Sequence, residues 1–178
     1  MLIDTWPCCG SPRTGQRQRY PGRFLHYLTK RYPETEAADT LHLFSGSVAG
    51  AFSVDLRPES GCSVAARYNA LPFADNAFSC VVADPPYNRG FSSHWTKHAP
   101  DLPRPKRILA EAVRVLRPGG LAMILHVIVV PAYKALGVER VGLHPILCGP
   151  NNAVRVLNVF RKRSSRTAAI RPPLLPVG

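Results

Sequence analysis

Four residues close the apolar run 78–83 of this chain: Asp84, Pro85, Pro86 and Tyr87. A buried strand that ends in an acid and an aromatic ring places both where open α/β sheets bind their ligands, at the carboxyl ends of the strands. The Asp84 carboxylate accepts a hydrogen bond from an amino group, and the Pro85 carbonyl offers a second acceptor to the same group. Both prolines fix φ and lack an N–H, so they stiffen the turn without competing for those acceptors. Tyr87 adds a flat face for a planar ring. Together these parts suit an exocyclic amine on a flat heterocycle, and we take Asp84, Pro85, Pro86 and Tyr87 as the candidate catalytic residues.

The tetrapeptide resembles motif IV of the S-adenosylmethionine-dependent amino-methyltransferases, which act on adenine N6, cytosine N4 or, in some RNA enzymes, guanine N2. Other segments follow in the order that this family has. Tyr20-Pro21-Gly22-Arg23-Phe24 is similar to the motif that precedes the cofactor loop in the DNA enzymes, and residues 41–47, Leu-His-Leu-Phe-Ser-Gly-Ser, are similar to the loop itself. Residues 71–78 resemble the approach to the catalytic strand, and Arg117-Pro118-Gly119-Gly120 the turn before the fifth strand. The resemblance spans roughly residues 20–160. It implies S-adenosylmethionine as cofactor, with Tyr20, Pro21, Phe24, Phe44, Ser45, Gly46, Ser47 and Asp84 around it. Three positions depart from the family: His42 stands where an acid is usual, Val48 where a second glycine is, and Arg67 where an acid often precedes residues 71–73.

The elements that must position these residues read as one α/β unit. Residues 24–32 have helical spacing and stop at Pro33. Residues 41–44 form a short apolar strand, and residues 52–55 a second that ends in Asp55. An acid in that place accepts from ribose hydroxyls in nucleotide-binding sheets, so Asp55 joins the cofactor set. Residues 45–51 are too few for the usual helical crossover, so the first helix must be reduced to a turn or missing. Residues 59–66 read as a short helix. Residues 108, 109, 112, 113 and 116 trace the apolar stripe of another, which ends at Arg117-Pro118-Gly119-Gly120. Residues 121–130 are apolar throughout, as a strand buried on both faces is. Residues 131–136 leave room for one turn, and residues 141–147 with 154–160 predict a hairpin. The expected architecture is a single-domain class I methyltransferase, a Rossmann-like sheet with an antiparallel last strand and a reduced cofactor half. Residues 1–19 read as an irregular basic arm, 20–160 as the domain and 161–178 as a basic, Pro-containing tail.

Charge points to the partner. The 178 residues carry 23 Lys and Arg against 11 Asp and Glu, a net charge of +12. Such an excess concentrates polyanions and favours contact with a phosphate backbone. The basic residues cluster in two acid-free stretches, residues 11–33 and 161–178. Nucleic acid is therefore the expected partner, DNA before RNA, with Arg13, Arg17 and Arg19 as contacts. Asn88, Trp95 and Lys97, in the long polar segment after Tyr87, are further candidates, Trp95 by stacking on a base. No signal peptide or membrane span is read, so the expected location is cytoplasmic, without a membrane partner. Five cysteines without Cys-x-x-Cys spacing predict neither a disulfide framework nor a metal site; Cys8 and Cys9 lack convincing further ligands, and Cys62, Cys80 and Cys148 read as filling apolar space.

The resulting expectation is methyl transfer to adenine N6 in DNA. The chain has no segment for a target-recognition domain, which implies relaxed sequence choice or a homodimer. An RNA amino-methyltransferase and a non-catalytic nucleic-acid-binding protein of the same fold are the alternatives.

Overall fold

The computed structural model describes residues 1–6, 20–36, 38–44, 48, 52–88, 102–148 and 153–164. Their backbone is organised by one sheet of eight strands: β1 (Leu2–Ile3), β2 (Thr40–Leu43), β3 (Phe52–Asp55), β4 (Val64–Ala65), β5 (Phe78–Ala83), β6 (Leu116–His126), β7 (Val138–Cys148) and β8 (Ala153–Lys162). Their spatial order is β1-β7-β8-β6-β5-β2-β3-β4. β8 runs antiparallel to both its neighbours, β6 and β7, whereas every other pairing is parallel. The expected mainly parallel sheet with an antiparallel last strand is thus present. Among the described residues no helix is long and apolar enough to cross a membrane.

The central strands are apolar without alternation because helices cover both faces. Helix α1 (Phe24–Arg31) sets Phe24 and Leu28 against Cys80, Val82, Leu121, Met123 and Leu125. Helix α2 (Pro105–Val115) sets Ile108, Leu109, Ala112 and Val115 against the opposite side chains, Val81, Ala83, Ala122 and Ile124. Odd and even strand positions therefore belong to different halves of the core. β2 and β3 are parallel neighbours, Leu43 opposite Val54, although only residues 44–51 join them. That length excludes a full helical crossover, as expected.

Four local expectations are corrected. Residues 59–66 are not a helix: a single 3-10 turn (Pro58–Ser60) stops at Gly61, whose φ of 75° lies in the left-handed region. Ser53 and Ser63 then exchange backbone-to-hydroxyl bonds of 3.2 and 3.1 Å, which dock Val64 and Ala65 as an edge strand on β3. β6 starts earlier and ends sooner than 121–130. Gly119 and Gly120 are taken into it as an irregularity against β5, where a Cβ on Gly120 would stand 2.8 Å from the Ser79 carbonyl. At the other end His126 turns the chain outward and leaves Val127, Ile128 and Val129 exposed.

The third correction lies at the domain's end, where β8 continues to Lys162. Arg161 donates to the Gly119 carbonyl, and the Lys162 ammonium to the Val113 and Leu116 carbonyls at the end of α2. These two cations belong to the fold rather than to a solvated tail. The fourth concerns the start of the chain. Residues 1–6 are not irregular, because β1 pairs with β7, and Trp6 exchanges backbone bonds with Pro145 and Leu147.

Trp6 is 3% exposed and stacks on His144 at 5.2 Å. His144, fully buried, pairs through Nδ1 with Asp4 and receives the Tyr32 hydroxyl on Nε2 at 2.6 Å. Burial holds this imidazole down against the pull of Asp4 and pushes Tyr32 up to about 12. The first six residues therefore close one side of the core. Trp6→Ala is expected to lower unfolding stability by about 3 kcal/mol in urea denaturation. Ile3→Ala, at a position 63% exposed, should be near neutral; equal effects would contradict this role for Trp6.

Candidate active site

The carboxyl ends of β2, β3, β5 and β6 lie side by side, and the candidate chemistry sits on them. Ala83, the last residue of β5, is flanked by Leu43 and Ile124. The next amide, Asp84 N–H, donates to the Leu43 carbonyl at 3.3 Å, so the turn is tied to β2 as the strand ends. Pro85 is buried, Pro86 and Tyr87 are half-buried, and Asn88 is exposed at the rim.

Asp84 lies at the carboxyl end of β5, its side chain 16% exposed. Its nearest charged partner is Arg155 of β8, with Nη1 to Oδ2 at 3.5 Å. The same guanidinium lies over the Tyr87 ring, 5.2 Å from its centroid. Burial pushes the Asp84 carboxyl up to about 6, and Arg155 only partly opposes this. The Tyr87 hydroxyl is also raised by burial.

His126, at the end of β6, completes the arrangement, its ring 5.8 Å from that of Tyr87. Its Nδ1 accepts from the Val127 and Ile128 amides at 2.9 and 3.3 Å, which fixes the proton on Nε2. Burial lowers its pKa, so the ring is neutral. Neither Arg155 nor His126 is marked by a sequence motif. Each is found only once the registers Ile146 to Arg155 and His126 to Val156 bring β8 beside β6.

The cofactor set divides. Phe44 adopts φ 63°, rare for a side chain with a Cβ, where β2 leaves the sheet; its amide donates to the Val54 carbonyl at 2.9 Å. Asp55 ends β3 and is 7% exposed. Among the described residues both donors to its carboxylate, the amide and Nε of Arg57, reach Oδ1, leaving Oδ2 as the acceptor for a hydroxyl. A carboxylate at the end of β3 and an outward-turning backbone at the end of β2 fit the ribose and the adjoining chain of S-adenosylmethionine. Ser45, Gly46 and Ser47 lie outside the described residues.

Tyr20, Pro21 and Phe24, expected around the cofactor, pack into the protein interior. All three are buried, Phe24 completely. Tyr20 stacks on Phe24 at 4.9 Å, and its hydroxyl meets His42 Nδ1 at 2.9 Å, beneath β2 and β5. Burial holds His42 down to about 4, so a neutral imidazole fills this place inside the core. Of the nucleic-acid contacts expected, Asn88 adjoins the site, whereas Arg13, Arg17, Arg19, Trp95 and Lys97 lie outside the described residues. Among the described residues no group of three His, Cys, Asp or Glu is arranged to hold a metal.

Comparison with known proteins agrees with this fold. Residues 22–124 match the family described as a methyltransferase domain. The [4+2]-cyclase SpnF has a similar fold, with a TM-score of 0.54, 13% identity, and coverage of 88% of this chain and 87% of that one. A chain of the complex between the Haloferax volcanii Trm112 methyltransferase activator and a methyltransferase gives 0.51 and 13%, over 78% and 93%. A Bacillus halodurans methyltransferase gives 0.51 and 15%, over 80% and 100%. At such identities the likeness shows the fold alone, since one fold carries many activities. No curated protein matches the sequence. The family match covers more than half of the chain and accords with the sheet order: the chain belongs to the methyltransferase domain family, class I enzymes whose cofactor is S-adenosylmethionine.

Proposed function

We propose that this methyltransferase acts on an exocyclic amino group of a nucleobase, adenine N6 in DNA, with little sequence selectivity. The observation that carries the reading is the joint hold of Asp84 and Tyr87 on one planar N–H donor, the Arg155 guanidinium. An aminopurine edge has the same two features, N–H bonds in the plane and a flat face, and would engage the same two groups.

Bound S-adenosylmethionine supplies an electrophilic methyl group on a sulfonium. The protein's part is placement and proton handling. The amino nitrogen of adenine is a weak nucleophile because its lone pair is delocalised into the ring. Asp84 Oδ and the Pro85 carbonyl accept its two N–H bonds and turn the lone pair toward the methyl carbon, while Tyr87 supports the ring. On accepting a methyl group the amino nitrogen would have to shed a proton. Asp84, poised near pH 6, is the base beside it. In duplex DNA the base first leaves the stack, at a cost of a few kcal/mol. The charge of +12 supports a polyanionic partner.

Incubation with methyl-labelled S-adenosylmethionine and separate DNA and RNA pools, followed by nucleoside analysis, tests this. Label on N6-methyldeoxyadenosine is expected. Label confined to RNA nucleosides would move the substrate to RNA, and label in neither pool would refute nucleobase methylation.

A further inference from the structure

Arg155 occupies the space that the proposed function gives to the target base. Its guanidinium is planar, donates to Asp84 Oδ2 at 3.5 Å and lies 5.2 Å from the Tyr87 centroid. We infer that Arg155 is a gate, an internal stand-in for the target base that closes the slot between Asp84 and Tyr87 and must swing away before a nucleobase enters. The inference rests on the proposed nucleobase substrate and adds to it a residue that controls access.

The geometry suits a contact that forms and breaks. A strong charge-assisted bond is shorter, about 2.7–2.9 Å, so the Asp84 contact is a loose one, and a hydrogen bond to the Tyr87 side chain supplements it. Arg155 leaves β8 near its start, and its side chain is 21% exposed, so it lies at the edge of the site rather than within the core. The closed position also serves the empty enzyme, since it gives a poorly solvated carboxylate a counter-charge. An incoming aminopurine replaces the donor with its amino group and the planar cation with its own ring. Such an exchange favours a ligand carrying both features over one carrying either alone. Lysine would not substitute here, because an ammonium keeps the charge but has no plane to lie on Tyr87.

The test uses adenosine as the probe, which has no phosphate to attract a freed cation. Its affinity is measured by calorimetry for wild type, Arg155→Met, Arg155→Lys, and Arg155→Met combined with Tyr87→Ala, with thermal melts confirming that each is folded. Arg155→Met is expected to bind adenosine about tenfold more tightly, roughly the strength of one part-exposed ion pair plus one cation–π contact. Arg155→Lys should fall between the two, and Tyr87→Ala should remove the gain. Equal or weaker binding by Arg155→Met, no binding by any form, or a gain that survives Tyr87→Ala would each overturn the gate. The methylation assay on DNA and RNA is a separate readout. A methylating wild type with no gain in Arg155→Met sinks the gate alone, whereas a gain without methylation of either pool sinks the proposed reaction alone.

Discussion

Asp84→Ala is expected to lower the rate of methyl transfer on the order of 10²–10³-fold while leaving S-adenosylmethionine affinity close to wild type. The size follows from removing one preorganised polar group from the reacting centre. The separation from cofactor affinity follows from place: the carboxylate assigned to the ribose is Asp55, on a different strand. Asp84→Asn keeps one acceptor oxygen but cannot take up a proton, so it should retain part of the rate. The two variants also differ in pH dependence. With a carboxyl that titrates at about 6, wild-type activity should climb as pH rises through that value, because the ionised form is the acceptor and the base. Asp84→Asn should lack this inflection. A wild-type profile flat from pH 5 to 8, or full turnover by Asp84→Ala, would remove the role assigned here.

The same carboxyl links activity to stability, and the sign is opposite to that of a salt-bridged acid. Folding raises the Asp84 pKa from the usual 3.8 to about 6, so the folded protein binds this proton more tightly than the unfolded chain does. Stability therefore falls as pH rises from about 4 to 6, and the penalty is constant above that. At roughly 1.4 kcal/mol per unit, the two units amount to about 3 kcal/mol at neutral pH. Asp84→Asn should accordingly melt at a higher temperature than wild type at pH 7.5 and show little advantage at pH 4. A residue that weakens the fold while it serves the reaction is the usual mark of a functional site.

The central strands and the turn 84–87 were legible in the sequence because they rest on local signals. The central part of β6, residues 121–125, is a continuous apolar run and β5 is nearly one, and Asp84-Pro85-Pro86-Tyr87 is contiguous, so neither needs tertiary knowledge. Arg155 carries no such signal. It is a cation in a strand that reads as half of a hairpin, and it meets Asp84 only through the register of β8 on β6. His126 sat within what read as one apolar strand to residue 130, and only its side-chain acceptance of two amides ends that strand. Trp6 belongs to a stretch without period, and its burial depends on β1 adding to β7 from far along the chain. Phe24 is similar: motif order suggests a place near the cofactor, and its packing against Trp6 and Tyr20 is visible only in the fold.

Asn158 supplies the largest expected loss of stability for a single polar side chain. It is fully buried on β8, where the hydrophobic pattern admits any apolar residue. The two hydrogens of its Nδ2 are shared among the carbonyls of Ile124, Ile128 and Val156 at 3.2, 3.1 and 3.1 Å. Its Oδ1 accepts from the Val130 amide at 2.8 Å and from Arg140 at 3.0 Å. One amide thus holds the return of the chain after His126 against the sheet, and Arg140 also reaches the Val130 carbonyl. Alanine would leave buried partners without a bond, at about 1–3 kcal/mol for each group that water cannot reach. Asn158→Ala should therefore cost roughly 3 kcal/mol or more in denaturant unfolding. Asn158→Asp should fail as badly, because a carboxylate can accept from Val130 and Arg140 but cannot donate to three carbonyls. Because the same return positions His126 against Tyr87, both variants should also weaken adenosine binding under conditions where they remain folded. Near wild-type stability in Asn158→Asp would show that the donated bonds contribute little, and that the two accepted ones hold the turn.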